Sequence, residues 1–201
     1  SATYTLIWPL MFRDYVMWHD NLPWLKARLP GLRATLHGME LYENADGLLD
    51  NLPGWSFMDW VPSFRDGVAP DGYGLSSLNN LFYVHALQSA AVAEEAAGNG
   101  EMALYWRKRA ERVALKVVET FWSAERGLMA DTVKKDKFSE HAQCLALLAG
   151  ILPADKEAQA LQGLITAQDL ARATVYFSHY LFDTYTRFGR TDLTLKRLDL
   201  W

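Results

Sequence analysis

Residues 75–122, LSSLNNLFYVHALQSAAVAEEAAGNGEMALYWRKRAERVALKVVETFW, decide the fold. Apolar residues recur at helical spacing on both sides of Gly98-Asn99-Gly100. The pattern predicts two long helices, Leu75 to Ala97 and Glu101 to Trp122, folded on each other as an αα-hairpin. Glu94, Glu95, Glu111 and Glu119 lie among Lys and Arg on these helices and read as solvated faces.

The arrangement repeats on either side. Upstream, Leu6, Leu10, Tyr15 and Trp18 predict a helix from Tyr4 to Trp18. Asp20-Asn21 punctuates it, and a second helix follows from Leu22 to Tyr42, which Pro30-Gly31 is expected to break or kink. Downstream, Phe138 to Ala149 pairs with Lys156 to Thr166 through Leu152-Pro153, and Thr174 to Phe188 pairs with Thr191 to Trp201 through Gly189. Helix pairs repeating every 40 to 50 residues or so point to a solenoid or a toroid. A shorter echo favours the toroid: Asp46-Gly47-Leu48-Leu49-Asp50 after the first hairpin resembles Arg126-Gly127-Leu128-Met129-Ala130-Asp131 after the second. In both, Gly stops a helix and a partly extended segment ends in Asp. The expected fold is all-α, with helical hairpins of an α/α toroid in one domain over residues 1–201.

Composition bounds the function. The 201 residues are 50% hydrophobic and 22% charged, which suits a packed chain rather than a disordered one. A net charge of −4 argues against nucleic acid, whose phosphates need clustered Lys and Arg. The longest apolar run, Cys144 to Leu152, is too short for a membrane span, so a soluble chain is expected. The start lacks the features of a signal peptide and an initiating Met, so it was either processed or belongs to something longer. The compartment stays open. Cys144 is the only cysteine and makes no internal bridge; inside an apolar helix it reads as inert packing. His19, His37, His85, His141 and His179 form no zinc-type pair, and neither a phosphate loop nor a nucleophile elbow appears.

Chemistry is expected in the stretch from Glu43 to Gly74, whose five Gly and three Pro fit neither period and which exceeds an ordinary loop. Within it, Trp55-Ser56-Phe57-Met58-Asp59-Trp60 sets two indoles around a carboxylate. Pyranose C–H faces lie on aromatic planes, and a carboxylate accepts pairs of hydroxyls, so the combination suits a sugar. Tryptophans that plug a core are the competing reading. Asn79 and Asn80 near the start of the third helix, with Tyr73-Gly74 before them, reach the same end, to meet hydroxyls or to cap. Ser139-Glu140-His141 opens a helix with Ser139 as N-cap and Glu140 favoured by the helix dipole, while His141 either meets a ligand or fills the interior.

Several segments together carry a family resemblance. Leu6-Ile7-Trp8-Pro9-Leu10, Arg13-Asp14-Tyr15, Asp46-Gly47-Leu48-Leu49, Trp55 to Trp60, Asn79-Asn80-Leu81-Phe82-Tyr83 and Ser139-Glu140-His141-Ala142-Gln143 occur in that order. With Thr174-Val175-Tyr176-Phe177-Ser178 and Gly189-Arg190-Thr191-Asp192, the set resembles the catalytic domain of bacterial α-L-rhamnosidases over nearly the whole chain. The resemblance implies an (α/α)6 barrel, of which about four hairpins of six are present, and inverting hydrolysis of terminal α-L-rhamnosides. It implies substrate contacts from Trp55, Asp59 and Trp60, and from Asn80 and His141, with no cofactor and no metal in the chemistry. The partner it implies is a rhamnose-containing carbohydrate or glycoside. In that family the general acid is a Glu upstream of the part matched by Ser1. The general base is a Glu in a loop shortly after the helix matched by Leu195 to Trp201. Both are therefore expected outside this sequence, and the catalytic residues stay unknown. An open array of hairpins implies completion by further chain or by self-association. A non-catalytic helical module that binds a carbohydrate or a protein is the alternative.

Overall fold

The computed structural model describes residues 1–200; Trp201, the last residue of the expected eighth helix, lies outside the described residues. In chain order the elements are α1 (Ala2–Trp18), α2 (Leu22–Glu40), α3 (Ser77–Ala96), α4 (Gly100–Phe121), β1 (Trp122–Ser123), β2 (Leu128–Met129), α5 (Glu140–Ala149), α6 (Ala154–Thr166), α7 (Ser178–Arg187) and α8 (Thr191–Leu198). The four expected hairpins are present among the described residues.

Side-chain pattern decides which helix lies inside. Leu78, Leu81, Phe82, Val84, Leu87 and Ala90 point in every direction around α3, and all are buried. A helix apolar all round has to be covered all round, and α3 packs against α1, α2, α4 and α5. The same holds for α5, buried from Glu140 to Leu147. By contrast α4 buries one stripe, Ala103, Trp106, Ala110, Val113, Val117 and Phe121, and exposes Arg107, Lys108 and Glu111 opposite. Inner helices α1, α3, α5 and α7 follow one another as neighbours, with α4, α6 and α8 packed outside as their hairpin mates. This is the arc of an α/α toroid.

Hydrogen bonds join the starts of the inner helices at one end of the arc. Ser77 N–H donates to the Asp131 carbonyl at 3.1 Å, and Glu140 N–H to the Ala171 carbonyl at 3.0 Å. The sequence echo has a structural counterpart there. Gly47 and Gly127 both take left-handed backbone, at φ 77° and 62°. Asp50 N–H returns to the Tyr42 carbonyl after the first, and Ala130 N–H to the Phe121 carbonyl after the second, each at 2.9 Å.

Three expectations are corrected. Pro30 and Gly31 do not interrupt α2, which runs unbroken because Leu25, Leu29, Leu32, Leu36 and Met39 bury a continuous stripe that outweighs one lost backbone hydrogen bond. Residues 174–177 are not part of α7, since the Thr174 amide is drawn to a side chain described below. Glu94 is not solvated. It is fully buried, with Arg33 donating to both its oxygens at 2.6 and 2.7 Å and Asn99 Nδ2 donating at 2.8 Å.

Candidate functional site

The stretch between α2 and α3 is ordered by packing of its own side chains. Leu48, Leu49, Leu52, Phe57, Met58, Val61, Phe64 and Val68 are buried, and Phe57 bridges to Val68. Gly67 closes this small knot. Its carbonyl accepts the amides of Met58 and Asp59 at 2.7 and 3.2 Å. It also has to be glycine: φ is +73°, and a Cβ would sit 2.6 Å from the Phe57 ring.

With Phe57 buried and held, other rings collect around it. Centroid distances from Phe57 are 4.9 Å to Trp60, 5.0 Å to Trp55, 5.1 Å to Tyr176 and 6.3 Å to Tyr4. Those four outer rings remain 41–61% exposed. Trp55 is further fixed by Nε1–H donating to the Asp66 carbonyl at 3.0 Å. The result is an aromatic shelf drawn from α1, the long loop and the segment before α7.

Asp59 holds the shelf from beneath. Oδ1 accepts the Trp60 amide at 2.8 Å and the Thr174 hydroxyl; Oδ2 accepts His141 Nε2–H and the Thr174 amide, each at 2.8 Å. These four bonds fill the acceptor sites of a carboxylate. Burial alone would push the Asp59 carboxyl up, but the bonds from His141 and Thr174 outweigh it and hold it below the ordinary carboxylate range. Asp59 is fully buried, so the structure makes it a joint that sets Trp60 and Thr174 rather than an open acceptor for hydroxyls.

His141, also fully buried, lies between the rings of Phe177 at 4.2 Å and Phe64 at 5.1 Å. Its neighbour Glu140 accepts the Ala173 amide at 2.8 Å through Oε2 and pairs with Arg197 of α8 through Oε1. Consecutive residues at the start of α5 thus clamp consecutive residues of the chain that leads to Tyr176. Glu140 acts directly, and His141 acts through Asp59. Ser139 caps α5 as expected, accepting the Ala142 amide at 3.3 Å.

Asn80 is a clamp rather than a hydroxyl contact. Its Oδ1 accepts the Leu49 amide at 2.7 Å, and its Nδ2 donates to the carbonyls of Leu49 and Ser76 at 3.0 and 2.9 Å. Gln143 does the same one hairpin later, accepting the Met129 amide at 2.9 Å and donating to the carbonyls of Met129 and Ser139 at 2.6 and 3.1 Å. Asn79 secures the other end of the loop, donating to the Gly72 carbonyl at 3.0 Å.

Of the five residues singled out in sequence, Trp55 and Trp60 share the exposed shelf, Asp59 and His141 lie under it, and Asn80 fixes the Leu49 backbone to the start of α3. Tyr4 and Tyr176 were missed. Tyr176 lies within a segment whose order resembles the rhamnosidases, but nothing local separates a shelf tyrosine from a core one. Elsewhere, burial pushes the Cys144 thiol up and His85 down to about 4, consistent with groups that serve packing. Among the described residues no group of three His, Cys, Asp or Glu is placed to hold a metal ion, and no helix is long and apolar enough to cross a membrane.

The described residues thus form an arc of four helical hairpins that gathers an aromatic, carboxylate-anchored loop at the starts of its inner helices. The model of the bacterial alpha-L-rhamnosidase 6 hairpin glycosidase domain matches residues 1–198, and the chain belongs to that family. Among solved structures, the chain is similar to a GH78 family rhamnosidase of Bacillus sp. GL1, at 24% identity and TM-score 0.87 over 98% of this chain and 21% of that one. It is also similar to a rhamnosidase from Klebsiella oxytoca with rhamnose bound, at 16% identity and TM-score 0.83 over 100% of this chain and 37% of that one. These likenesses establish the fold, and the chain spans well under half the length of either neighbour. No curated protein sequence matches the chain.

Proposed function

We propose that residues 1–201 form the sugar-facing part of an inverting α-L-rhamnosidase, with the rhamnose ring lying against Trp55 and Trp60. The observation that carries this reading is the exposed aromatic shelf fixed on Phe57 and Asp59. Indole faces stack on the C–H face of a deoxy sugar, whose methyl group adds apolar surface to cover. The Klebsiella oxytoca neighbour, described with rhamnose bound, supports the choice of sugar.

In this reading Asp59 and His141 act on the sugar through the parts they position, namely the Trp60 backbone and the Thr174 segment. Asn80 keeps the Leu48-Leu49 segment in register beside them. Inverting hydrolysis needs a protonated acid at the leaving oxygen and a second carboxylate about 6.5–9.5 Å away to activate water. The acid and base are supplied by chain outside residues 1–201, and no cofactor enters the reaction.

One observation favours a second reading, binding without turnover. The loop carboxylate closest to the shelf in sequence, Asp59, has all its acceptor sites filled by protein donors. Hydrolysis of p-nitrophenyl α-L-rhamnopyranoside separates the two. Residues 1–201 are to be assayed beside a version extended into flanking sequence at both ends. Turnover by the extended form alone is expected. Turnover by neither, with rhamnoside binding retained, supports the binding module.

A further inference from the structure

Helix α8 joins the arc with little apolar packing. None of its residues is buried, Leu193 alone of its leucines packs partly against the core, and Leu195 and Leu198 are exposed. Arg197, in its last turn, is the exception among its charged residues. Its side chain keeps only 10% of its surface exposed, and Nη2 donates to Oε1 of Glu140, 57 residues earlier in the chain.

Glu140 is itself buried, and its two oxygens have different partners. Oε1 meets Arg197, and Oε2 accepts the Ala173 amide at 2.8 Å. A buried carboxylate needs a paired cation to stay charged, and Arg197 supplies it. A guanidinium is planar and offers its N–H donors in a fixed fork, so it sets the orientation of the carboxylate as well as balancing its charge. With one oxygen held by Arg197, the other is aimed at Ala173. The next amide, that of Thr174, is taken by Asp59 at 2.8 Å, and Ser178 Oγ donates back to the Thr174 carbonyl at 2.8 Å. Tyr176 lies inside this short, gripped stretch and stands edge-on to Phe57 at 5.1 Å as part of the shelf.

We propose that Arg197 is a positioning residue for the aromatic shelf: through Glu140 and the Ala173 amide it sets where the Tyr176 ring stands. The outer helix α8 is thereby coupled to the sugar-facing surface without touching it. The consequence for sugar binding rests on the rhamnoside reading of the shelf, whereas the placement of Tyr176 does not.

The test is Arg197→Met, which keeps the apolar stem and removes the charge, read by NMR in two ways. Without ligand, amide hydrogen exchange is expected to become about tenfold faster at Ala173 and Thr174, with a changed Tyr176 ring shift. The Leu49 amide, held by Asn80, is expected to keep its wild-type exchange. With methyl α-L-rhamnopyranoside, affinity is expected to fall about threefold, and the fall should vanish when Tyr176→Ala is already present. If Arg197→Met fails to fold, Arg197→Lys, which keeps the charge and loses the fork, is expected to show a smaller rise at the same two amides. Unchanged exchange at Ala173 and Thr174, or an equal rise at Leu49, would overturn the proposal, the latter by reducing Arg197 to general stability. Faster exchange with unchanged affinity, or an affinity loss that persists in Tyr176→Ala, would overturn it as well. A wild type that shows no saturable binding overturns the rhamnoside reading instead; the two amides and the Tyr176 ring shift then decide the role of Arg197 alone.

Discussion

Nε2 of His141 lies 2.8 Å from Oδ2 of Asp59, although 82 residues separate them in the chain. Asp59 reaches further still along the chain, accepting both the amide and the hydroxyl of Thr174, 115 residues away. One carboxylate therefore ties the long loop, the start of α5 and the approach to α7 into a single end of the arc.

Removing that carboxylate leaves buried donors without acceptors. Asp59→Ala is expected to cost about 3–5 kcal/mol, the range for breaking a buried charged pair from one side. Because the folded carboxyl is held below its unfolded value, its contribution is complete above about pH 4 and declines as pH falls through the folded value. Urea unfolding at a series of acid pH values checks both points. The stability of Asp59→Asn should fall less steeply than wild type below about pH 4.

Gly67 supports the same joint from the other side. Gly67→Ala meets the Phe57 ring at 2.6 Å and keeps an unfavourable φ of +73°, so the overpacking and backbone costs combine to about 3 kcal/mol. Gly47→Ala has a similar φ of +77° but no atom closer than 3.9 Å, and about 1 kcal/mol is expected. Denaturant midpoints of the two variants, measured side by side, separate the steric contribution from the conformational one.

Asn80 and Gln143 hold equivalent backbone segments, at Leu49 and Met129, and their loss should look alike. Either residue changed to Ala leaves a buried backbone amide and carbonyl unpaired, for about 2–4 kcal/mol. Rhamnoside affinity of folded Asn80→Ala is expected to stay close to wild type. A large loss of affinity without loss of stability would make Asn80 a ligand contact instead.

Asp131 has the opposite pH signature to Asp59. Burial, only partly countered by bonds from Ser139, pushes its carboxyl up to about 7. The folded state then binds a proton that the unfolded state has released, so this residue lowers stability as pH rises from about 4 to about 7. Asp131→Asn is expected to gain on wild type over that window by an amount on the order of a few kcal/mol, read from unfolding curves at pH 5 and pH 8.

Much of the hairpin order was legible because helical periodicity and the Gly stops are local signals. The echo between Gly47 and Gly127 was legible for the same reason, but both glycines lie beyond the ends of α2 and α4 and turn short hairpins there rather than stopping the helices. The continuity of α2 and the start of α7 were harder. Pro30 is overruled by five buried residues on one stripe, and Thr174 is taken out of the helix by Asp59, a contact 115 residues long. At the site, Trp55 and Trp60 were readable as a pair, but the role of Asp59 was not. Its four donors come from three separate segments. Glu94 misled in the same way, since Arg33, its partner, lies 61 residues upstream.

The most direct test of the aromatic shelf is a titration with methyl α-L-rhamnopyranoside followed by indole fluorescence, comparing wild type with Trp55→Ala and Trp60→Ala. A saturable response is expected in wild type, with affinity about tenfold weaker in Trp60→Ala, as loss of one stacking face implies. A wild type without saturable response, or unchanged affinity in both variants, would contradict the assignment of the shelf as the rhamnose platform.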